Sequence, residues 1–529
     1  MLPVPFLHVE PLSEARTPLA AFFSIQHASR NSLKPFLSRF AHGGSVRWRG
    51  IFPISVILAS YLAFLSTGCS PSVNRYLLIE QSLLAGHPQQ AAAIVEQTKD
   101  EYGAKGRLLY GMDRGLVLQV AGEYQQSSAV LEQAEEDVER LYTRSIRTET
   151  AAFLTNDNML PYEGDAYEHV MINVVKALNY AVQGQIQEAL VEVRRIDHRL
   201  NVLGDRVKDL DKYRNDGFAR YLSGILYEAA GDLNNAFIAY RNAYEAYRTM
   251  KGWSRMSPPP SLQADLLRTA EALGLNTELE SYRQTFPDVA WSPISSSSGE
   301  ALAHVVMISY NGRAPRKEDM FLDLPISLDA AQLVLLNRGV FQGPYQRDRV
   351  ADSLLYGLNG RVVRVALPRL VPQKTRIAFE DLTLTDAQGR SFSARSERAQ
   401  NVTALAEKGL SERMPGMATK AVARAATKFV IAEGVSFGAR RAVGKDAAPW
   451  VGLLVELFAK GIAVASEEAD KRSWQTLPDE IHVARAWVPA GQYQVSVWPS
   501  GQGMSMTKDG QSVPLAAGQT LFILQRVMQ

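Results

Sequence analysis

The chain has a single cysteine, Cys69, in 529 residues. A disulfide framework is therefore excluded, and stability must come from packing. Histidine is sparse as well. Beyond residue 68 it occurs only at His87, His169, His198, His304 and His482, with no H-x-x-x-H pair. These positions match no common zinc-ligand spacing. There is no P-loop, and no G-x-G-x-x-G follows a strand-like run, so no phosphate cradle is offered. No cofactor, metal or small-molecule substrate is expected. Neither charge is in excess: Lys and Arg number 57 against 55 Asp and Glu, and 51 against 53 without residues 1–68. Phosphate binding wants a basic excess, so nucleic acid is not an expected partner.

What is present begins at that cysteine. Arg47 and Arg49 precede an uncharged apolar run from Ile51 to Leu65, followed by Ser66-Thr67-Gly68-Cys69-Ser70. A basic segment, an apolar segment and a small-residue site describe a secretory signal. With a cysteine directly after the site, this resembles the lipobox of bacterial lipoproteins. Ser66 departs from the usual leucine, and Leu65 sits one position early. The resemblance implies cleavage before Cys69, acylation of its thiol and a membrane contact through the acyl chains. Ser70 in place of aspartate implies the outer membrane, periplasmic face. The plainer reading is a cysteine at the edge of a transmembrane helix or signal peptide. The apolar run is shorter than the ~20 residues that span a bilayer, which favours cleavage. Residues 46–68 are thus the expected signal. Residues 1–45 read as a mis-assigned N-terminal extension, with Val46 the true start; the rival is a genuine N-terminal arm.

From Cys69 to Phe286 the chain reads as helical hairpins. A glycine followed five residues later by a small residue occurs at Gly86/Ala91, Gly122/Ser127, Gly184/Ala189 and Gly231/Ala236. Glycine permits the tight turn, and the small residue lets the second helix approach the first. In Tyr221–Tyr247, Gly224, Tyr227, Ala230, Gly231, Ala236, Tyr240 and Ala243 stand at tetratricopeptide-repeat spacing. The turn glycines are 36, 62 and 47 residues apart, against ~34 for a regular array, so this is a degenerate array with insertions. A generic helical bundle is the plainer alternative. Stacked hairpins make a groove that takes a peptide or protein partner. The acidic, turn-rich insertion Asn156–Glu168 is either a loop over that groove or a simple connection. Asp205, Asp209, Asp211 and Asp216, among Arg206, Lys208, Lys212 and Arg214, read as a solvated helix face.

Beyond a linker at 287–300 the periodicity changes. Strands are expected at His304–Tyr310, Arg361–Leu367, Arg376–Leu384, Ser391–Arg395, Ile481–Val488, Tyr493–Trp498 and Thr520–Val527. Turns are expected at Asp386–Gly389, Pro489–Gly491 and Ala516–Gly518. A helical insertion at about 403–469 interrupts them, with helices at Thr403–Ala432 and Ala448–Ala469. In the second, Glu456 and Lys460 can pair, and the helix near Trp450 could face the core, a second copy or a bilayer. The fold class expected is α+β: a tetratricopeptide-like solenoid over 69–286 and an antiparallel β-rich domain over 301–529.

Tyr162-Glu163-Gly164, Lys176-Ala177-Leu178-Asn179-Tyr180, Gly312–Glu318, Ala469–Pro478 and Leu515–Val527 together resemble an uncharacterised family of bacterial outer-membrane lipoproteins with N-terminal tetratricopeptide-like repeats. The resemblance implies location and architecture, not chemistry. One motif argues for an enzyme: Gly434-Val435-Ser436-Phe437-Gly438 is G-x-S-x-G, with Asp446, Asp470 and His482 following. Its context is helical, whereas a nucleophile elbow needs a strand before the serine. Trp450, Trp474, Trp487 and Trp498 read as core or sheet-edge aromatics rather than a sugar platform. The expected function is a lipid-anchored, periplasm-facing scaffold that binds a protein partner through its repeats, and not an enzyme. The alternatives are a regulator of a cell-envelope machine and, last, a serine hydrolase at Ser436.

Overall fold

A computed structural model describes residues 71–152, 158, 160–206, 216–291, 302–325, 362–436, 468–500, 506–507 and 512–528. Among these, five helical hairpins come first: α1 (Pro71–Leu84) with α2 (Pro88–Gln97), α3 (Arg107–Val120) with α4 (Tyr124–Ala152), α5 (Ala166–Val182) with α6 (Ile186–Arg206), α7 (Gly217–Ala229) with α8 (Leu233–Ser254), and α9 (Pro260–Ala272) with α10 (Asn276–Thr285). Each hairpin turns on a glycine with positive φ: Gly86, Gly122, Gly184, Gly231 and Gly274. At Gly122 the Glu123 N–H donates to Leu118 O at 2.9 Å, and the Gly122 N–H donates to Gln119 O at 3.0 Å. This pair of bonds closes the helix C-terminus and needs the left-handed conformation that glycine adopts without penalty. The fifth turn is absent from the sequence pattern because Leu279, not a small residue, stands five positions after Gly274.

Ala91, Ser127, Ala189 and Ala236 are all fully buried. So are glycines where helices touch. A Cβ on Gly224 would meet the ring of Tyr240, and one on Gly115 would meet Leu131. The Tyr240 ring cannot easily yield, because its hydroxyl donates to Glu228 Oε2 at 2.6 Å. Gly224→Ala should therefore destabilise the chain by about 1–3 kcal/mol. A lowered urea midpoint would report it; an unchanged midpoint would contradict the close approach.

The first helices form an inner row. Nearly every residue of α3, α5 and α7 is buried, whereas α4 up to Leu141, α6 up to Asn201 and α8 bury one side only. The inner row is enclosed because a sheet lies against it. Its order is β11–β1–β7–β6, with β1 Ala303–Asn311, β6 Glu397–Asn401, β7 Glu480–Val488 and β11 Thr520–Val527. A second sheet runs β10–β8–β4–β5, with β4 Glu380–Asp386, β5 Ser391–Arg395, β8 Gly491–Pro499 and β10 Val513–Leu515; β9 (Met506–Thr507) pairs with β8. Strand β1 is buried throughout, and strand alternation splits its sides. Val306, Ile308 and Tyr310 join the core shared with the helices. Val305 and Met307 join the core between the sheets. The molecule is thus layered helices, helices, sheet, sheet, an α+β fold in which the repeats and the β-rich region share one apolar core.

Three details differ from expectation. Sheet pairing is not wholly antiparallel: β1 runs parallel to β11 from His304/Thr520 to Asn311/Val527. The turns expected at Pro489–Gly491 and Ala516–Gly518 are present, but they join strands of different sheets. They are corners that carry the chain between sheets, from β7 to β8 and from β10 to β11. The Asp386–Gly389 turn does close a hairpin, between β4 and β5. Finally, β2 (Arg313–Pro325) pairs antiparallel with β3 (Val362–Gln373) as a separate ribbon. Helix α11 (Val402–Ser436) packs on it, Ala421 meeting Val365 and Leu367. The expected helix at Ala448–Ala469 falls, but for its last two residues, outside the described residues. Among the described residues no helix is long and apolar enough to cross a membrane.

Candidate functional site

Polar side chains gather where the inner helices meet the sheet. Arg485 of β7 points into the helices from between Val483 and Trp487 on the same face. Its Nη2 donates to Glu228 Oε2 at 2.6 Å, its Nε to His304 Nε2 at 3.1 Å, and its Nη1 pairs with Asp265. Arg268 donates to Asp265 Oδ1 at 2.7 Å and to Glu228 Oε2 at 2.9 Å. The Tyr221 hydroxyl donates to Asp265 at 2.9 Å. Trp487 lies 4.5 Å from the His304 ring, stacked on it. Two carboxylates face two guanidinium groups; Asp265, Arg268 and Arg485 are buried, and Glu228 lies at the edge of the group with 9% of its side chain exposed. Burial pushes Glu228 up, but Arg485 and Arg268 outweigh it and hold its carboxyl well below the usual range. His304 is kept neutral by burial and by Arg485.

The insertion Asn156–Glu168 supplies a second cluster. Its described residues, Asn158 and Leu160–Glu168, bind the C-terminal region. Asp165 and Glu168 form a capping box on α5, which satisfies backbone donors at the helix start. Glu168 also accepts from the Trp474 N–H at 2.8 Å and from the Tyr162 hydroxyl at 2.6 Å. Arg472 donates to Leu160 O at 3.0 Å, and Lys317 and Arg413 pair with Asp165. Burial, reinforced by Asp165, raises Glu168 to about 7. Asp113 on α3 accepts from Tyr76, Tyr102 and Thr476 at 2.6, 2.9 and 2.9 Å, and burial lifts it to about 6.

A third cluster lies between the sheets. His482 Nε2 is 3.1 Å from Glu480 Oε2, and its Nδ1 is 3.3 Å from Glu380 Oε2. Ser309 and Ser396 each donate to Glu380 at 2.5 Å. Burial pulls His482 down, but the two glutamates prevail and raise it to about 9. Such a histidine holds its proton at neutral pH and is no general base. Ser436, moreover, ends a continuous helix and no strand leads into it. Asp470 is engaged by Arg472 at 2.7 Å; Phe437, Gly438 and Asp446 lie outside the described residues. Among the described residues, therefore, the strand that a nucleophile elbow needs does not precede Ser436.

Other sequence candidates fall as follows. Lys176 is buried on Glu132, on Glu135 at 2.9 Å and on Glu192 at 3.1 Å. The Asn179 amide donates to Ser127 at 2.9 Å and accepts from Gln119 at 2.9 Å. These residues lock the second and third hairpins together. Asp216 is no solvated-face residue: it is buried, caps α7 through Ala219 N–H at 2.9 Å, and accepts from Gln400 at 2.8 Å. Asp209 and Asp211 lie outside the described residues. Trp474 is buried, Trp487 is half-buried on β7, Trp498 is exposed on β8, and Trp450 lies outside the described residues. Cys69, the expected lipidation site, also lies outside them.

With the inner row covered, the repeats present their outer row to solvent. There the seventh residue after each turn glycine is exposed and uncharged: Ala93, Ala129, Val191, Ile238 and Ser281. Val191 and Ile238 are large apolar residues at 42% and 37% exposure. Sequence spacing contained this line, but only burial shows which helix faces outward.

No family model matches the chain, and no curated protein matches it. Among solved structures it is similar to the Podosopora anserina putative kinesin light chain with nearly identical TPR-like repeats, at 16% identity and a TM-score of 0.27, covering 42% of this chain and 95% of that one. It is also similar to MamA from Desulfovibrio magneticus RS-1, at 14% identity and a TM-score of 0.26, covering 41% and 90%. BtubC from P. vanneervenii follows at 13% identity and 0.28, covering 46% and 93%. At these TM-scores the likeness carries no weight for function, and the hairpin fold rests on the contacts described above.

Proposed function

We propose that this chain is a lipid-anchored scaffold on the periplasmic face of the outer membrane, and that it holds a protein partner on the outer row of its helical hairpins. The carrying observation is the line through Val191 and Ile238. Two successive repeats place a large apolar residue in solvent at the same position, although polar residues were available to an outer face. The inner row cannot serve, because the chain's own sheet fills it. The signal-like segment before Cys69 supports the anchor, and Ser70 supports the outer-membrane address. An anchor at the N-terminus would confine the partner near the bilayer and raise its effective concentration.

The test is a double variant, Val191→Glu with Ile238→Glu. Both positions are exposed, so stability should change by no more than about 0.5 kcal/mol each. A partner cross-linked to the wild-type chain in isolated membranes should fall at least about tenfold in the variant, equivalent to about 1.4 kcal/mol of binding. Undiminished cross-linking to a variant of wild-type stability would refute the outer row as the binding surface.

A further inference from the structure

Helix α1 carries a face that no described residue covers. Its exposed positions are Asn74, Leu77, Leu78, Gln81 and Leu84. At 3.6 residues per turn they span an arc of about 120°. Leu77, Leu78 and Leu84 are 49%, 48% and 50% exposed. No charge lies on this arc. The nearby charges are turned inward or engaged: Arg75 is buried over the Tyr102 ring at 3.7 Å, and Glu80 pairs with Arg313. The opposite end of the array differs. There α10 exposes Glu278, Glu280, Arg283 and Gln284, the polar outer face expected of a terminal repeat in water. The N-terminal end is therefore not finished for water.

We propose that this face of α1 lies on the bilayer surface. The inference rests on the anchoring reading above. Only Ser70 separates Cys69 from the start of α1. At ~3.5 Å per residue, acyl chains on Cys69 hold Pro71 within about 7 Å of the anchored residue. Anchoring through the apolar run Ile51–Leu65 would also bring α1 close to the surface. The helix is about 21 Å long. Standing upright, it would lift Leu84 clear of the headgroups. Lying flat, it sets all three leucines at one depth, where an apolar face enters the headgroup–acyl boundary. Because the face is uncharged, its contact should not depend on anionic lipid.

The test uses the full chain, purified from membranes and reconstituted in phosphatidylethanolamine/phosphatidylglycerol vesicles. p-Benzoylphenylalanine replaces Leu77, Leu78 or Leu84 singly, with replacement of Glu280 as the distant control. After illumination, intact mass should show lipid adducts at the three leucine positions at least about tenfold above the control, and equally so in phosphatidylcholine vesicles. An acylated, vesicle-bound chain with adducts no higher than the control, or with protein adducts at these positions, overturns the proposal while leaving the anchor intact. A chain without acyl mass that is lost from the vesicles overturns the anchor, and the proposal with it.

Discussion

Arg485→Met is expected to destabilise the chain by about 3–5 kcal/mol, the cost of removing one partner from a buried ion-pair group. The wild-type group is balanced, with Arg485 and Arg268 against Glu228 and Asp265. Methionine fills similar volume but leaves two carboxylates, that of buried Asp265 among them, facing one guanidinium. The loss should appear as a lower urea midpoint. A second change, Asp265→Asn, restores the balance and should recover part of the loss. The pair then gives a favourable coupling term in a double-mutant cycle. Equal and additive losses would mean that the four groups do not act together. The cluster joins the third strand of the inner sheet to α7 and α9, and through the Tyr240 hydroxyl to α8, so its loss should also loosen the sheet from the repeats. Faster hydrogen exchange in β7 than in α4 would show this.

The second large effect depends on pH. His482 is held at about 9 in the folded chain, against ~6.5 for an unperturbed histidine. Its folded value is raised, so its contribution is fully present below pH 6.5 and is lost as pH rises through 9. The difference corresponds to about 3 kcal/mol at most. The groups around it are fixed charges and hydroxyls. Glu380 is bonded by Ser309 and Ser396, and Glu480 is paired with Arg398 at 3.0 Å. His482→Gln should therefore unfold more readily at pH 7 and lose most of the decline between pH 7 and 9.5. Glu168, raised to about 7, acts mainly below that window: its stability term falls as pH rises from about 4.5 to 7. A wild-type decline above pH 7 that persists in His482→Gln would contradict the paired histidine.

Much of the architecture is legible in local sequence because it is local. A left-handed turn demands glycine, and a close helix pair demands a small residue five positions on, so four hairpins stand out. The fifth does not, because Leu279 takes the small residue's place and leaves only Gly274 as a sign. Strand alternation locates β1, β7, β8 and β11 but not their partners. Whether Ala516–Gly518 closes a hairpin or turns a corner depends on which sheet is nearer, and no local pattern states that. The polar seam was equally hidden. Arg485 could have been suspected, since it shares a strand face with Val483 and Trp487, where a solvent-facing residue would be out of register. Its partners Glu228 and Asp265 sit in helical repeats more than two hundred residues away. The enclosure of the inner row follows from that pairing, and it moves the candidate binding surface from a groove to the outer helices.

The account turns on Cys69, and the most direct test is the intact mass of the N-terminal peptide from membrane-extracted protein. The account predicts a peptide that begins at Cys69 and carries two or three acyl chains. A peptide that continues upstream through Gly68 with an unmodified Cys69 thiol would contradict it.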